Sequence, residues 1–452
     1  MSKSDTFVAL STPAGESAIA LIRLSGALCT VIAEQLCTKV VKPRYAHYIA
    51  YRSVSGQWLD DCVMTYFQAG ASFTGDAMLE IASHGNPLIV HNILKDLQAR
   101  GCRLAEPGEF SKTAFLNGRI DLSQAEAISD LIRARSDRAL AVAERQMHGA
   151  IGRKMSELTN RLLGIVASFE AYIDFPEEDL PDENQAGPLQ EIKFLIKELS
   201  NIIDTNEFRS VLSAGIKTLI VGEPNAGKSS LINALTGSDR SIVSQLPGTT
   251  RDYIAASIML NGWAIELIDT AGLHATTDSI EQLGIERTLE QANNADFFLL
   301  VLDTSKPSPT LPVEILDRLH ANNAIVLENK CDLPHLYAHA DFLPQCPHLQ
   351  MCLSGEIKGL TKLRDQWTQL IEKNLSNLLS NDELVVNARH VKALSAAREA
   401  LKLSLKQANE GELSELIVCE LRVAIEQIGA VVGTIDNEQM LDCLFNQFCI
   451  GK

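Results

Sequence analysis

Gly222, Gly227, Lys228 and Ser229 stand at the spacing G-x-x-x-x-G-K-[ST], with Glu223, Pro224, Asn225 and Ala226 between the glycines. An apolar run, Ile216–Val221, precedes the motif, and a helical pattern, Ser230–Leu235, follows it. That context suits phosphate capture. Glycines let backbone N–H groups close around a phosphate, and a helix N-terminus adds a favourable dipole. Lys228 is then expected to reach the β- and γ-phosphates, and Ser229 to ligate Mg²⁺.

Three more elements fit a nucleotide site. Asp269-Thr-Ala-Gly272 ends the apolar run Ala264–Ile268. Its carboxylate suits a water-mediated Mg²⁺ contact, and the Gly272 N–H suits a γ-phosphate. Asn329-Lys-Cys-Asp332 ends the run Ala324–Leu327. A carboxylate there accepts two hydrogen bonds from guanine N1 and its exocyclic amine. Adenine offers no such donor pair, and a mismatch of this kind discriminates by about 10⁴-fold. Between them lies Gly248-Thr-Thr-Arg251, whose Thr250 is placed to sense the γ-phosphate through Mg²⁺. Ser354-Gly-Glu356 is a weaker base-contacting element. The order and spacing match a Ras-like GTPase. The residue after Gly272 is Leu273, which has no polar atom to orient an attacking water; His274, Asp278 and Glu281 are the downstream candidates. Asn225 offers a side-chain carbonyl to a monovalent cation, or caps its loop.

The elements that must position these residues follow from periodicity. Ile216–Val221, Ala264–Ile268, Phe297–Leu302 and Ala324–Leu327 are short apolar runs separated by helical stretches, the pattern of a mostly parallel sheet. Residues 1–119 read as mixed α/β. Met155, Leu158, Leu162, Ile165, Val166, Phe169 and Ile173 form a helical stripe, as do Leu416, Ile417, Leu421, Ala424, Ile425 and Ile428. Residues 174–184 carry six acidic residues and two prolines and read as a solvated break. The expected architecture is an N-terminal α/β domain (1–119), then a discontinuous all-α helical domain (120–214 and 374–452). A Ras-like α/β P-loop G domain (215–373) is inserted into the helical domain.

Composition sets the background. At 452 residues, with 46% hydrophobic and 5% aromatic, the chain can bury several cores. Net charge is −17, which taken alone argues against a protein that coats itself with nucleic acid or anionic lipid. Residues 1–119 are near neutral at +1, and the remainder is acidic. Ten cysteines without paired spacing suggest free thiols in a reducing cytoplasm. The longest dense apolar run is six residues, so no membrane span is expected. Arg133, Arg135, Arg138 and Arg145 are read as a solvated face, with a tRNA or partner contact as the alternative. His335, His339, Cys346 and His348 fit no zinc spacing and are read as a variable polar loop.

The full set resembles the MnmE (TrmE) family of tRNA-modification GTPases, in the TrmE-Era-EngA-YihA-Septin-like class, over essentially the whole chain. The residues carrying the resemblance are Ser72-Phe-Thr-Gly75 with Glu80, Pro107-Gly-Glu-Phe-Ser111, Phe115-Leu-Asn117 and Gln124-Ala-Glu-Ala127. Asp174-Phe-Pro176, Pro224-Asn-Ala-Gly-Lys-Ser-Ser230, Asp269-Thr-Ala-Gly-Leu273, Gly284-Ile-Glu-Arg287 and Phe448-Cys-Ile-Gly-Lys452 complete it.

The resemblance implies a GTP contact set of Asn225, Ala226, Gly227, Lys228, Ser229, Ser230, Ser244, Gln245, Leu246, Pro247, Gly248, Thr249, Thr250, Asp269, Thr270, Ala271, Gly272, Asn329, Lys330, Asp332, Ser354, Gly355 and Glu356. It implies K⁺ at Asn225, Ser244, Leu246 and Thr249, Mg²⁺ at Ser229 and Thr250, and a water-positioning catalytic Glu281. Arg23, Glu80, Arg119 and Lys452 match contacts to a 5-formyl- or methylene-tetrahydrofolate, with Arg119 standing where a Lys is usual and His274 where an Arg is usual. Cys449 either takes part in chemistry or shapes that pocket. The implied partners are a second copy in a homodimer, a FAD-dependent MnmG in a heterotetramer or larger complex, and tRNA held largely by MnmG. The implied reaction uses GTP hydrolysis and a folate one-carbon unit to install an aminomethyl or carboxymethylaminomethyl group at carbon 5 of the wobble uridine. The alternative is a ribosome-assembly or regulatory GTPase switch without folate chemistry.

Overall fold

The computed structural model describes residues 5–37, 40–174, 186–237, 254–269, 289–309, 311–333, 339, 341–354, 358–379 and 384–433, with 445, 448 and 451. In chain order the elements are β1 (Phe7–Leu10), β2 (Ser17–Ser25), α1 (Cys29–Leu36), β3 (Ala46–Arg52), β4 (Trp58–Phe67), β5 (Met78–Gly85), α2 (Pro87–Ala99), β6 (Arg103–Leu104) and α3 (Glu109–Leu116). Four helices follow: α4 (Leu122–Arg133), α5 (Asp137–Met147), α6 (Ala150–Asp174) and α7 (Ala186–Ala214). Then come β7 (Ile216–Val221), α8 (Lys228–Gly237), β8 (Ile254–Leu260), β9 (Trp263–Asp269), β10 (Phe297–Asp303), α9 (Val313–Leu316), β11 (Ala324–Asn329) and β12 (His348–Gln350). The last helices are α10 (Leu360–Leu379), α11 (Ala388–Glu410) and α12 (Ser414–Val432).

The chain divides into two compact units. One comprises residues 1–129, 146–192 and 399–452; the other comprises 130–145 and 193–398.

In the first unit six strands form a sheet in the order β3-β4-β5-β2-β1-β6, antiparallel except for the β1–β6 pair. Strand β3 alternates exposed and buried along its length, as a half-covered sheet requires. The buried face carries Ile22, Leu24, Ile49, Tyr51, Met64 and Ile81 against Ile32 and Ala33 of α1 and Ile93 and Leu97 of α2. Helix α2 starts sharply: the Asn86 side chain accepts from the Leu88 and Ile89 N–H groups, and Pro87 occupies the first turn. Helix α3 begins at Gly108, whose φ is +68°. A Cβ there would come within 2.6 Å of the Phe445 carbonyl oxygen, so glycine is needed for both the conformation and the close approach. Helices α6 and α12 pack together. Met155, Leu158, Leu162 and Phe169 of α6 and Ile417, Leu421, Ala424 and Ile428 of α12 are buried. Leu416, expected in the α12 stripe, is 45% exposed, because the seam 417–421–424–428 lies one helical step away.

In the second unit the sheet order is β12-β11-β10-β7-β9-β8, parallel throughout except for the β8–β9 hairpin. β10 is buried along its whole length, which explains its uninterrupted apolar run. Leu231 and Leu235 of α8 and Leu363, Trp367 and Ile371 of α10 cover one face. Ala292, Ile315 and Leu319 cover the other. In the arginine series Arg133, Arg135 and Arg145 are exposed, as the expected solvated face requires, and Arg138 is half-buried. The Arg138 guanidinium lies 4.3 Å from the Trp263 ring centroid and donates to Glu372, while Arg135 pairs with Glu266 at 3.4 Å. A cation lying over an indole face gains from the ring quadrupole, so packing claims Arg138. The histidine loop is also more packed than expected. His339 is 2% exposed and bonds the Ser308 hydroxyl, Cys346 is buried, and His348 pairs with Glu328. The eight described cysteines are free thiols.

Candidate nucleotide and N-terminal sites

In an open parallel sheet, ligands collect at the C-terminal ends of the strands, and that is where the described motif residues lie. The loop after β7 turns through Asn225, at φ +64°, and Gly227, at φ +110°, before α8 begins at Lys228. A Cβ on Gly227 would stand 2.2 Å from the Asn329 amide nitrogen. That amide donates 2.8 Å to the Ala226 carbonyl, so Asn329 ties the phosphate loop to the end of β11. Lys228 is 4% exposed, and its ammonium donates to the carbonyls of Gly222 and Glu223 at 2.8 and 2.9 Å. Burial pulls its pKa down, with the charge of Asp269 acting against the fall. Asp269 ends β9 in register with Ile220 of β7. Ser229 and Ser230 are exposed in the first turn of α8.

The other end of the candidate site is built on Asp332. Its two carboxylate oxygens accept from the Cys352 thiol at 3.4 Å and the Ser354 hydroxyl at 3.0 Å. Its own backbone N–H, then these two partners, hold its pKa below the ordinary carboxylate value. Sequence reasoning missed two neighbours. Asp303, at the end of β10, is buried and pairs with Lys330. Cys352 stands two residues before Ser354 and touches Asp332. The position of Asp303, at the C-terminal end of a fully apolar strand, was the available signal.

In the first unit, Arg23 of β2 faces Glu80 of β5 in register, and the pair meets at 2.8 Å, half-buried. Thr74 bonds Ser25, and the Asn117 amide donates to the Thr74 carbonyl. Gly75 lies against Asn117 and the side chain of the exposed Arg119. The Ser11 hydroxyl donates 3.0 Å to the Gly451 carbonyl, while the Ser11 N–H bonds Leu21, two residues from Arg23. Among the expected site residues, Ser244, Gln245, Leu246, Pro247, Gly248, Thr249, Thr250, Thr270, Ala271, Gly272, Glu281, Gly355, Glu356, Cys449 and Lys452 lie outside the described residues.

Two family models match the chain. The one described as GTP-binding protein TrmE N-terminus covers residues 6–119, and the one described as MnmE helical domain covers 122–449. A tRNA modification GTPase MnmE from Opitutus terrae is 43% identical over 99% of both chains. One from Akkermansia muciniphila is 40% identical, also over 99% of both. Among solved structures, the G domain of the T. maritima FeoB iron transporter is 24% identical, covering 34% of this chain and 98% of its own, with a TM-score of 0.25.

Proposed function

The chain belongs to the MnmE family of tRNA modification GTPases, and from that premise we propose that it couples GTP hydrolysis to one-carbon chemistry on the wobble uridine of certain tRNAs. The observation that carries this reading is the convergence of Lys228, Asp269 and Asp332 on the C-terminal ends of one parallel sheet. Lys228 sits where a β,γ-phosphate would draw its ammonium away from the loop carbonyls. Asp332 offers two acceptors to guanine once Cys352 and Ser354 yield them.

The donors available to metals are hard oxygens, as Mg²⁺ and K⁺ require. Ser229 is exposed at the first turn of α8 beside the phosphate loop, and the Asn225 carbonyl stands in the loop's left-handed turn. In this proposal Ser229 and Thr250 hold Mg²⁺, while Asn225, Ser244, Leu246 and Thr249 hold K⁺. Both cations offset the charge that develops on the phosphates. Glu281 positions the attacking water.

The Arg23–Glu80 pair supports folate binding in the N-terminal domain. A guanidinium suits a glutamate-tail carboxylate, and a carboxylate suits a pterin N–H edge. In this proposal Arg119 and Lys452 are further folate contacts, and Cys449 either takes part in the chemistry or shapes the site. A tetrahydrofolate derivative bound there would supply the one-carbon unit.

Exposed Ile19, Tyr48 and Val63 on the first sheet support pairing with a second copy. A FAD-dependent MnmG holds most of the tRNA and completes the modification in the cytoplasm. Among the described residues no helix is long and apolar enough to cross a membrane.

The test is to delete the protein and analyse wobble-uridine nucleosides by mass spectrometry, alongside GTP turnover in K⁺ and in Na⁺. Loss of the carbon-5 modification and faster turnover in K⁺ are expected. An unchanged nucleoside profile would refute the reading, and equal rates in the two salts would remove the K⁺ assignment.

A further inference from the structure

Lys330 adopts φ +63° between Asn329 and Cys331, a left-handed conformation that a lysine reaches only at a cost in free energy. Asp332, the base-reading carboxylate, lies two residues further on. The direction in which it points therefore depends on what holds the Lys330 turn.

Neighbouring strand β10 supplies the restraint, with Asp303 in register with Asn329 of β11. The Asp303 carboxylate is 3% exposed. One oxygen accepts the Lys330 ammonium at 2.5 Å. The other accepts the Ser305 N–H at 3.0 Å and the Ser305 hydroxyl at 2.6 Å. Thr304, 1% exposed, donates its hydroxyl to the carbonyls of both Asn329 and Lys330, at 3.1 and 3.2 Å. The side chain and the backbone of Lys330 are thus both pinned, from a strand end that contributes no residue to the recognised nucleotide motifs.

We propose that Asp303 and Thr304 are positioning residues for base selection: they hold Lys330 in its left-handed turn so that Asp332 meets the guanine edge at a fixed angle. The inference rests on the GTP-binding reading above. It goes beyond that reading by placing guanine specificity partly on β10. A fixed carboxylate discriminates because an adenine edge leaves it unpaired. A carboxylate free to swing turns to water instead and tolerates either base.

The experiment uses the full chain and measures binding of GDP, IDP and ADP by competition, together with kcat and KM for GTP. For Asp303→Asn, GDP affinity is expected to fall by about tenfold or more while weak ADP binding stays within threefold, so the GDP-to-ADP ratio collapses. KM for GTP rises and kcat at saturation stays within about threefold, because the phosphate end is untouched. Thr304→Val removes only one hydroxyl and guards against a variant that does not fold. It is expected to lower the same ratio by about fivefold, the loss of one backbone restraint. A GDP-to-ADP ratio unchanged in Thr304→Val, or GDP and ADP affinities falling together in a folded Asp303→Asn, would overturn the proposal. If the unaltered protein bound no GDP, the GTP-binding reading itself would fail instead.

Discussion

Asp332 has both carboxylate oxygens engaged, one by a thiol and one by a hydroxyl. Under the proposed function, guanine N–H groups displace both partners. Replacing the carboxylate by an amide reverses one acceptor into a donor. Asp332→Asn is therefore expected to raise KM for GTP by about 10²-fold or more and to admit xanthosine triphosphate, whose base carries a carbonyl in place of the amine. Steady-state hydrolysis of the two nucleotides measures this, and unchanged GTP preference would count against Asp332 as the base reader. Asp303 has a pH signature of its own. Burial alone would raise its pKa, but hydrogen bonds from Lys330 and Ser305 outweigh burial and bring it from 3.8 to about 2. Because the folded value lies below the unfolded one, its stabilisation is complete above about pH 4 and fades as the pH falls toward 2. The amount is on the order of 2 kcal/mol. Urea midpoints at pH 5 and pH 3 should drop less in Asp303→Asn than in the unaltered chain. Lys228 and Asp332 were legible because their motifs are local strings whose spacing is dictated by one turn of backbone. Asp303 and Cys352 were not, because their roles arise from contacts made across strand register.

At the scale of elements, the α6–α12 seam is the clearest case of stability set by one stripe. Leu421 is fully buried and Leu416 is 45% exposed, although both sit in the same apolar-looking helix. Leu421→Ala is expected to cost about 2–5 kcal/mol, while Leu416→Ala stays within about 0.5. Chemical denaturation of the two variants checks the difference, and equal costs would place the seam elsewhere. Periodicity located β7, β9, β10 and β11 to within two residues, since buried parallel strands write themselves as short apolar runs. It overlooked the two edge strands, β8, whose apolar run is broken by Ala255, Ala256 and Ser257, and the three-residue β12. It also gave no sign of what one arginine of α5 packs against. Nothing local to residues 133–145 announces Trp263, about 125 positions later in sequence, as the surface on which Arg138 rests.

At the scale of the molecule, total charge was a poor guide. A net −17 spoke against work on nucleic acid, yet the family acts on tRNA. Composition reports solubility and steering, not substrate class. The division into units was only partly legible. The two stripes led to the expectation of a helical domain interrupted by an α/β insertion, but nothing in them announced that residues 130–145, 193–214 and 374–398 fall in the second unit. A chain stopped after Arg398 lacks α12 and leaves the α6 stripe uncovered. It is expected to bind a hydrophobic dye and elute as aggregates in size-exclusion chromatography; a monodisperse product would mean that α6 finds another cover. The same pairing bears on the protein's birth. The end of α6 and the start of α12 lie about 240 residues apart, and at 5–20 residues per second the ribosome needs roughly 10 to 50 s to make the intervening chain. Throughout that interval a nascent helix with seven buried-to-be side chains waits without its mate, while the inserted unit emerges. Slowing translation within the insertion should therefore raise the nascent chain's dependence on chaperones, a burden that an uninterrupted helical domain of the same size would not carry.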